Sequence, residues 1–589
     1  MVNIFHYRGS AFFCAAKRWG HLVLVIILAG GLPLTSQANT PRAHAVASAH
    51  PLATAAGQEI LLHGGNAFDA AVAVSAVLAV VEPYSSGLGG GGFWLLHRAS
   101  DGFETMIDGR ERAPLAAHRD LYLDEQGEVI RQRSLNGALA AAIPGEPAAL
   151  VHIAEKYGQL PLSASLAPAI RIARSGFEVD EHYQRLARFR LEVMQKDTQT
   201  AAIFLHDQQV PPIGHKIVQT DLARTLEAVA QHGRDGFYRG EVAQALVAGV
   251  RARGGIWTEE DLAQYRVIER HPIRGEYRGI RITSAAPPSS GGIALVTMLN
   301  ILADYDLDAL DEATRTHLMV EAMRRAYRDR AQYLGDPDFV DIPASLLTSP
   351  LYAAGLRASI RSDRATPSAT LPGEVPSPQG RHTTHLSILD ADGNRVSATL
   401  SINYPFGAAV TPAGTGVLLN DEMDDFSAKP GVANVYGLVG AEANAIAPGK
   451  RPLSSMTPTF LESEDGVAIL GTPGGSRIIT MVLLGALEFA AGKEPQAWVE
   501  RPRFHHQFLP DAIQFEPGAL SPEIQARLTE LGHNLKPLSR PYGNMQAVYW
   551  DKQSGEVSAA SDPRGGGRAS LAPQSGYPSK RLAPRHEFE

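Results

Sequence analysis

Residues 381–403 read RHTTHLSILDADGNRVSATLSIN and predict a β-hairpin. Leu386 and Ile388 alternate with polar residues from Thr384 onward, and the alternation resumes beyond residues 390–394. Period-two alternation is typical of a half-buried strand, and Asp, Gly and Asn favour the turn between two strands. The second strand would present a polar face formed by Ser397, Thr399, Ser401 and Asn403.

The length of the turn sets the register of this hairpin. Because side chains alternate along a strand, both polar faces lie on one side of the sheet only if the loop has an odd number of residues. A loop of residues 391–393 or 390–394 meets this condition. Either loop places Ser387 opposite Ser397 and Thr383 opposite Ser401, so that a second hydroxyl would face that of Thr383.

The local sequence leaves two interpretations of Thr383. A β-branched residue is suited to the start of a strand and needs no further role. Alternatively, Thr383 is a nucleophile whose proton is taken by its own α-amine, which has a pKa of about 8. The second interpretation requires the chain to be cut between His382 and Thr383.

Composition restricts the class of protein. A chain of 589 residues exceeds the length at which a single hydrophobic core stops growing. We therefore expect more than one domain or one unusually large layered unit. With 44% hydrophobic and 20% charged residues, a disordered or fibrous protein is excluded. The only cysteine, Cys14, lies before the apolar run at 22–34, so the mature chain would have no thiol nucleophile and no Cys-ligated metal.

The N-terminus predicts a secretory signal at residues 1–38. Three basic residues precede the apolar run, and small residues follow it up to Ala38, where we expect cleavage; Ala45 is the alternative. A membrane anchor is disfavoured because the run is short and contains Gly30, Gly31 and Pro33. Removal of the signal leaves 51 basic and 62 acidic side chains, a net charge of −11, without a basic patch for nucleic acid.

Two long helices and one linker can be placed from the sequence. Asn66 to Asp69 begin an apolar run that predicts a buried helix up to Val81, before Pro83. Residues 312–333 form the strongest helical pattern in the chain. Residues 366–380 are rich in Pro, Ser and Gly, which is typical of an exposed linker just before the proposed cut.

Two further segments suggest ligands by composition alone. Residues 85–92, SSGLGGGG, lack the Lys-Ser/Thr of a phosphate-binding loop, so a close-packed turn is the better interpretation. Residues 420–425, NDEMDD, hold four carboxylates. They could form a solvated acidic turn or a weak calcium loop, but EF-hand spacing is absent. Such carboxylates repel one another unless a cation joins them.

Several long motifs follow one another in a fixed order. They are HPLAT (50–54), GGNAFDAAVA (64–73), VVEPYSSGLGGGGF (80–93), the hairpin continued by YPFG (404–407), LLNDEMDDFSAKPGVANVYGLVG (418–440), RPLSSMTPT (451–459), GTPGGSRI (471–478), PRFHHQ (502–507) and SDPR (561–564). Over nearly the whole chain beyond the N-terminal segment, this series resembles the γ-glutamyltransferase (γ-glutamyltranspeptidase) family of N-terminal-nucleophile hydrolases.

The resemblance implies an α+β fold, a four-layer αββα sandwich with two sheets between helical layers. It implies that the precursor cuts itself between His382 and Thr383 into a large subunit (39–382) and a small subunit (383–589), which stay together as a heterodimer. The enzyme would transfer the γ-glutamyl group of glutathione and related amides to water, amino acids or peptides, without a cofactor or metal.

The resemblance also implies roles for individual residues. Thr383 would be the nucleophile, Ser401 its hydrogen-bond partner, and the backbone N–H groups of Gly474 and Gly475 the oxyanion hole. The substrate α-carboxylate would be bound by Arg110, Ser454 and Ser455, and the α-ammonium by Asn403, Glu422 and Asp425. Tyr436 would lie on a lid. Many relatives carry Thr at the position of Ser401, and relatives vary between Glu and Gln at that of Glu422.

Two rival functions remain from the sequence. An acylase of the same family would take glutaryl amides, which lack the α-ammonium that Glu422 and Asp425 would bind. An exported glutamyl-peptide binding protein would never cut itself. The signal indicates export, and the kind of relatives indicates the periplasm, with secretion as the alternative and no stable membrane anchor.

Overall fold

The predicted hairpin forms in the middle of a large sheet. The computed structural model describes residues 40–371 and 383–573, except 430, 436 and 439. Residues 384–389 and 395–401 pair antiparallel, with Ser387 opposite Ser397 and Thr384 opposite Leu400. This confirms the register of the five-residue loop. The signal segment, His382 and Tyr436 lie outside the described residues.

The described strands form two large sheets and two small ones. The strands are β1 (Ala43–Ser48), β2 (Gly91–Arg98), β3 (Phe103–Gly109), β4 (Phe177–Glu178), β5 (Lys216–Ile217), β6 (Ile268–Arg270), β7 (Ile273–Tyr277), β8 (Ile280–Ser284), β9 (Thr384–Leu389), β10 (Arg395–Ser401), β11 (Thr459–Glu462), β12 (Gly466–Gly471), β13 (Phe504–His505), β14 (Ile513–Phe515), β15 (Leu535–Pro537), β16 (Gln546–Asp551), β17 (Val557–Ser561) and β18 (Arg568–Pro573). The first large sheet has the order β18-β1-β9-β10-β2-β3-β6 and the second β17-β16-β12-β11-β8-β7.

Helices cover the outer faces of both sheets. They are α1 (Pro51–Leu62), α2 (Ala67–Val81), α3 (Arg131–Leu135), α4 (Glu146–Tyr157), α5 (Leu162–Ser175), α6 (Glu181–Met194), α7 (Thr198–Phe204), α8 (Thr220–His232), α9 (Asp235–Tyr238), α10 (Gly240–Arg251), α11 (Glu259–Gln264), α12 (Gly291–Leu302), α13 (Glu312–Tyr333), α14 (Ala344–Leu347), α15 (Pro350–Ala358), α16 (Ile478–Ala490), α17 (Pro495–Glu500) and α18 (Pro522–Glu530). Both long helices were predicted with these C-terminal ends.

Alternating side chains of the first sheet enter two different cores. Val46, Trp94 and Leu386 pack with α1, α2 and α4, whereas Ala47 and Leu95 pack toward the second sheet. The second sheet and helices α12, α13 and α16 complete this other core. The order helix, sheet, sheet, helix confirms the four-layer αββα sandwich. Among the described helices, we find none with the length and apolar character that a membrane span needs.

The expectation of half-buried strands is wrong for the hairpin, because every residue of β9 and β10 is buried. The polar face lies against the second sheet instead of water. Its hydroxyls donate to backbone carbonyls there, Ser397 to Leu470 at 3.1 Å and Ser387 to Gln546 at 3.1 Å. These bonds offset the cost of burying the hydroxyls and tie the two sheets together.

Candidate active site

Thr383 is the residue immediately before β9, and it is 7% exposed. It lines two cavities. One is wide, with a volume of about 920 Å³. The other is small, about 20 Å³, and is also lined by Ser401, Asn403, Arg110, Glu422, Asp425, Ser454, Ser455 and Gly475. The structure therefore brings the described candidate residues together around Thr383.

The glycine run positions the end of β10. A Cβ on Gly90 would lie 2.2 Å from the Ser401 carbonyl oxygen, and one on Gly89 would lie 2.0 Å from that of Leu418. Only glycine permits backbone to approach backbone so closely. The run is therefore the close-packed turn that the sequence indicated. It holds Ser401 against the segment that leads to Glu422.

Ser401 and Asn403 form a tight turn beyond β10. The Ser401 Oγ accepts the N–H of Asn403 at 2.8 Å, and Asn403 Nδ2 donates to the Asp421 carbonyl at 3.0 Å. Asn403 has φ = 72°, which non-glycine residues rarely adopt outside functional or strained sites. One step beyond the last registered pair, Leu400 opposite Thr384, Ser401 comes opposite Thr383.

Arg110 joins the carboxylates of the small cavity. It is fully buried; its Nη1 donates to Glu422, its Nη2 to Asp425 at 2.6 Å, and its Nε to the Pro452 carbonyl at 3.1 Å. A cavity of about 20 Å³ holds about one water molecule. The pocket is closed on its own ion pairs, so a ligand as large as a glutamyl group must separate them.

The acidic run does not form a solvated turn. Asp421 and Asp424 point away from Arg110: Asp421 accepts the N–H of Tyr404 at 2.9 Å, and Asp424 accepts the Ser134 hydroxyl at 2.6 Å. Only Glu422 and Asp425 are aimed at the small cavity.

Burial dominates the electrostatics of this cluster. It raises the pKa of Glu422 to about 7, despite the attraction of Arg110, and it raises the pKa of Asp425. It also raises the pKa of Glu111, whose carboxylate lies 3.6 Å from Arg110 and beside Glu422. Of these three carboxylates, Glu422 and Asp425 are the two that accept hydrogen bonds from Arg110.

A second arginine, Arg330, reaches the site from the last turn of α13. Its Nη2 donates to Ser455 Oγ at 3.2 Å, and its Nε donates to Ser290 Oγ at 3.0 Å. Ser454 Oγ accepts the N–H of Met456 at 3.1 Å. Burial lowers the pKa of Arg330 to about 10, so it stays charged at neutral pH. The guanidinium thus fixes the hydroxyl of Ser455 in the pocket wall.

Gly474 and Gly475 lie where the two cavities meet. Gly474 lines the wide cavity and Gly475 the small one. Their φ angles, 147° and 57°, are ones that L side chains rarely adopt. They precede α16 through a short helical turn, Gly475–Arg477. The first N–H groups of a helix have no acceptor within it, so this position suits an anion.

Arg330 and Glu111 were missed by sequence reasoning. Arg330 belongs to a run of basic residues that resembles a solvated helix face, and it lies 125 positions from Ser455. Glu111 follows Arg110 directly, and that adjacency was the only available signal.

One group of described residues, His317, Glu321 and His533, has the spacing of a metal site. Glu321 already forms ion pairs with Arg325 at 2.6 Å and with Arg324 at 3.2 Å. The two imidazoles are hydrogen-bonded to each other, with His317 Nδ1 2.7 Å from His533 Nε2. Two adjacent guanidinium groups oppose a bound cation. We therefore assign this group to the packing of α13.

Comparison with known proteins places the chain in a family. Residues 53–572 match the family model described as gamma-glutamyltranspeptidase. A glutathione hydrolase proenzyme from Pseudomonas sp. (strain A14) is 47% identical over 83% of this chain and 85% of its own. A cephalosporin acylase from Bacillus halodurans superposes with a TM-score of 0.80 at 28% identity, over 94% of this chain and 100% of its own. The gamma-glutamyltranspeptidase of Helicobacter pylori gives 0.54 at 40% identity, over 55% and 94%.

The family match covers most of the chain, and the glutathione hydrolase proenzyme aligns with it over most of both sequences. The chain therefore belongs to the γ-glutamyltranspeptidase family of N-terminal-nucleophile hydrolases.

Proposed function

We propose that the chain is a self-processing γ-glutamyltransferase and glutathione hydrolase. It cuts itself between His382 and Thr383, and the new N-terminal Thr383 then transfers γ-glutamyl groups from glutathione and related amides to water, amino acids or peptides. The observation that carries the proposal is the position of Thr383 between a small charged pocket and a wide cavity.

The charges of the small pocket fit the α-carbon end of a γ-glutamyl group. Arg110 is paired with both Glu422 and Asp425, and a second guanidinium, that of Arg330, donates to Ser455 in the pocket wall. A zwitterion can take the place of these ion pairs, with its carboxylate on Arg110 and the serines and its ammonium on Glu422, Asp425 and Asn403. A glutaryl group brings no ammonium, so it would leave two buried carboxylates without a partner.

The proposed reaction uses one nucleophile twice. In the precursor, Thr383 Oγ attacks the carbonyl carbon of His382; the peptide C–N bond breaks, the proton of the hydroxyl goes to the released α-amine, and water hydrolyses the ester. In the mature enzyme, Oγ attacks the γ-carbonyl of the donor, its proton passes through the α-amine to the leaving amine, and an acyl-enzyme forms. Water or an acceptor amine then takes the glutamyl group.

Gly474 and Gly475 would stabilise the oxyanion of each step. Their place between the two cavities is where the scissile carbonyl must lie if the glutamyl end enters the small pocket and the leaving group enters the wide one. Ser401 would donate its hydroxyl hydrogen to Thr383 Oγ.

The two products of the cut would stay together as a heterodimer. Strands from before and after Thr383 alternate in the first large sheet, where β1 lies between β18 and β9. We also assign residues 1–38 to a signal that directs the chain out of the cytoplasm, with the periplasm as its destination.

Self-cleavage is tested by denaturing gel electrophoresis with N-terminal sequencing of each band. The wild type should give two bands, the smaller beginning Thr-Thr-His-Leu-Ser, and Thr383→Ala should remain uncut. Thr384→Val is the matched control, because it removes the neighbouring hydroxyl with little change of shape and should still be cut. A folded wild type that remains one chain would favour a binding protein instead.

Substrate class is tested by comparing γ-glutamyl and glutaryl anilides. We expect the γ-glutamyl compound to be turned over much faster, and Asp425→Asn to reduce that preference because it removes one anionic partner of the ammonium. Faster turnover of the glutaryl compound by the wild type would identify an acylase.

A further inference from the structure

Two arginines of the wide cavity form no ion pair with any residue that the structure describes. Arg185 comes from α6, and Arg540 comes from the loop between β15 and β16. Both residues are exposed. Asp180 and Glu181 are the carboxylates with the largest effect on Arg185, and neither forms a salt bridge with it. The other two arginines of this cavity are engaged, since Arg564 binds Glu516 at 2.5 Å and Arg477 lies over the ring of Tyr542 at 4.8 Å.

The two guanidinium groups lie close enough to repel each other. The pKa of Arg185 is lowered by the partial burial of its side chain and then by the charge of Arg540, against the smaller opposing effects of Asp180 and Glu181. The nearby Asp180 is held at the start of α6, where it accepts the N–H of Tyr183 at 2.7 Å. Two like charges on one wall of a cavity are unfavourable until an anion joins them.

Neighbouring groups orient Arg185 and give the same wall an apolar part. Arg185 Nη2 lies 2.7 Å from Nδ1 of His182, and burial lowers the pKa of that imidazole to about 4, so it is neutral and accepts the hydrogen bond. Phe189, one turn further along α6, is 60% exposed and packs edge-on against Tyr404 at 5.6 Å. A ligand here would meet two cations beside an aromatic surface.

The position of Thr383 indicates which ligand this is. If the glutamyl group enters the small pocket, the amine that leaves Thr383 departs into the wide cavity, and the acceptor amine must approach from the same side. A carboxylate matches the planar guanidinium fork.

We propose that Arg185 and Arg540 bind the free C-terminal carboxylate of the leaving or accepting peptide. The site would thus select γ-glutamyl donors whose leaving group is a short peptide acid, such as the dipeptide of glutathione, over amides and neutral amines. This inference rests on the proposed function and adds the residues that determine its leaving-group specificity.

The test compares three donors: glutathione, glutathione amidated at its C-terminus, and γ-glutamyl anilide, whose leaving group has no carboxylate. Arg185→Gln and Arg540→Gln should each lower kcat/KM for glutathione by about tenfold and change it less than about twofold for the other two donors. The wild type should prefer glutathione to its amide, and each variant should lose that preference. Arg188→Gln, an exposed arginine on the same helix outside the cavity, is the control and should match the wild type with all donors.

The outcomes separate the two proposals. Equal losses for all three donors would mean that the arginines act only on the structure, and an unchanged preference for glutathione would mean that they do not touch the carboxylate; either result overturns the inference. A self-cleaved wild type without activity toward γ-glutamyl anilide would overturn the proposed function itself. If one variant fails to cut itself, the other variant and the glutathione amide still test the carboxylate contact.

Discussion

Glu422 should make donor binding depend on pH. Burial raises its pKa to about 7 in the empty pocket, where Arg110, Glu111 and Asp425 face it. An ammonium group binds the ionised carboxylate, so binding displaces a proton below this pKa. The KM for γ-glutamyl anilide should therefore fall as pH rises from 6 to 8, by up to about tenfold per pH unit on the acidic side.

Glu422→Gln is the control for this pH dependence, since the amide keeps the shape and cannot ionise. Its KM should be higher than that of the wild type and nearly constant over the same range. If KM of the variant depended on pH as strongly as that of the wild type, another titrating group would be responsible. Asp425, whose pKa is also raised, would then be the next residue to substitute.

Arg330 should affect donor binding although it was not among the sequence candidates. Arg330→Gln removes a buried charge and the donor to Ser455 Oγ, so we expect KM for γ-glutamyl anilide to rise about tenfold. Arg330→Lys should recover part of this loss because it restores the charge. Steady-state kinetics combined with a thermal melt checks the prediction: a fall in Tm with KM unchanged would assign Arg330 to stability alone.

Individual residues of the site could be predicted from the sequence only where they belong to a motif that resembles the family. Arg110 and Glu422 were identified by resemblance, yet their mutual ion pair was not, because they are 312 positions apart and no local pattern links them. The resemblance assigned the cation beside Glu422 to the substrate, whereas in the structure the cation beside Glu422 is Arg110. A pairing of this kind is visible only once the two segments meet in the fold.

The turn that carries Gly87 to Gly92 should tolerate a side chain at one end only. Gly90→Ala would place its Cβ 2.2 Å from the Ser401 carbonyl, whereas Gly87→Ala would have its nearest neighbour at 3.8 Å. We expect Gly90→Ala to lower the free energy of unfolding by about 1–3 kcal/mol and to slow self-cleavage, since it displaces Ser401. Gly87→Ala should change stability by less than about 0.5 kcal/mol.

Urea unfolding and the rate of precursor cleavage measure the two effects. Equal behaviour of both variants would contradict the idea that the glycine run is required for close packing. A slow cut in Gly90→Ala with normal stability would locate its effect at Ser401.

The local sequence pattern predicted the secondary structure of β9, β10 and α2 correctly, but it did not predict what packs against the hairpin. The odd loop gave the correct register of β9 and β10, and the Asn66–Asp69 pair forms the capping box of α2. Alternation could not reveal that the polar face of the hairpin is covered, because period two distinguishes two faces without saying what lies on each. The acceptors of its hydroxyls, such as Leu470, lie on strands much later in the chain.

The two chains produced by the cut should be inseparable without unfolding. Among the described strands, four pairings would cross between them: β1 with β18, β1 with β9, β2 with β10 and β8 with β11. Neither part can keep its sheets after the other leaves. Size-exclusion chromatography should give one heterodimer peak in native buffer, and the two chains should separate only in denaturant.

Unfolding of the cut protein then releases two chains, whereas Thr383→Ala releases one. By mass action, the urea midpoint of the cut wild type should rise with protein concentration, and that of the uncut variant should not. Trp94 and Trp498 lie on opposite sides of the cut, so fluorescence reports on both parts. A midpoint independent of concentration in the cut protein, or one part unfolding well before the other, would mean that a chain folds alone and that the interleaved sheets do not bind the two together.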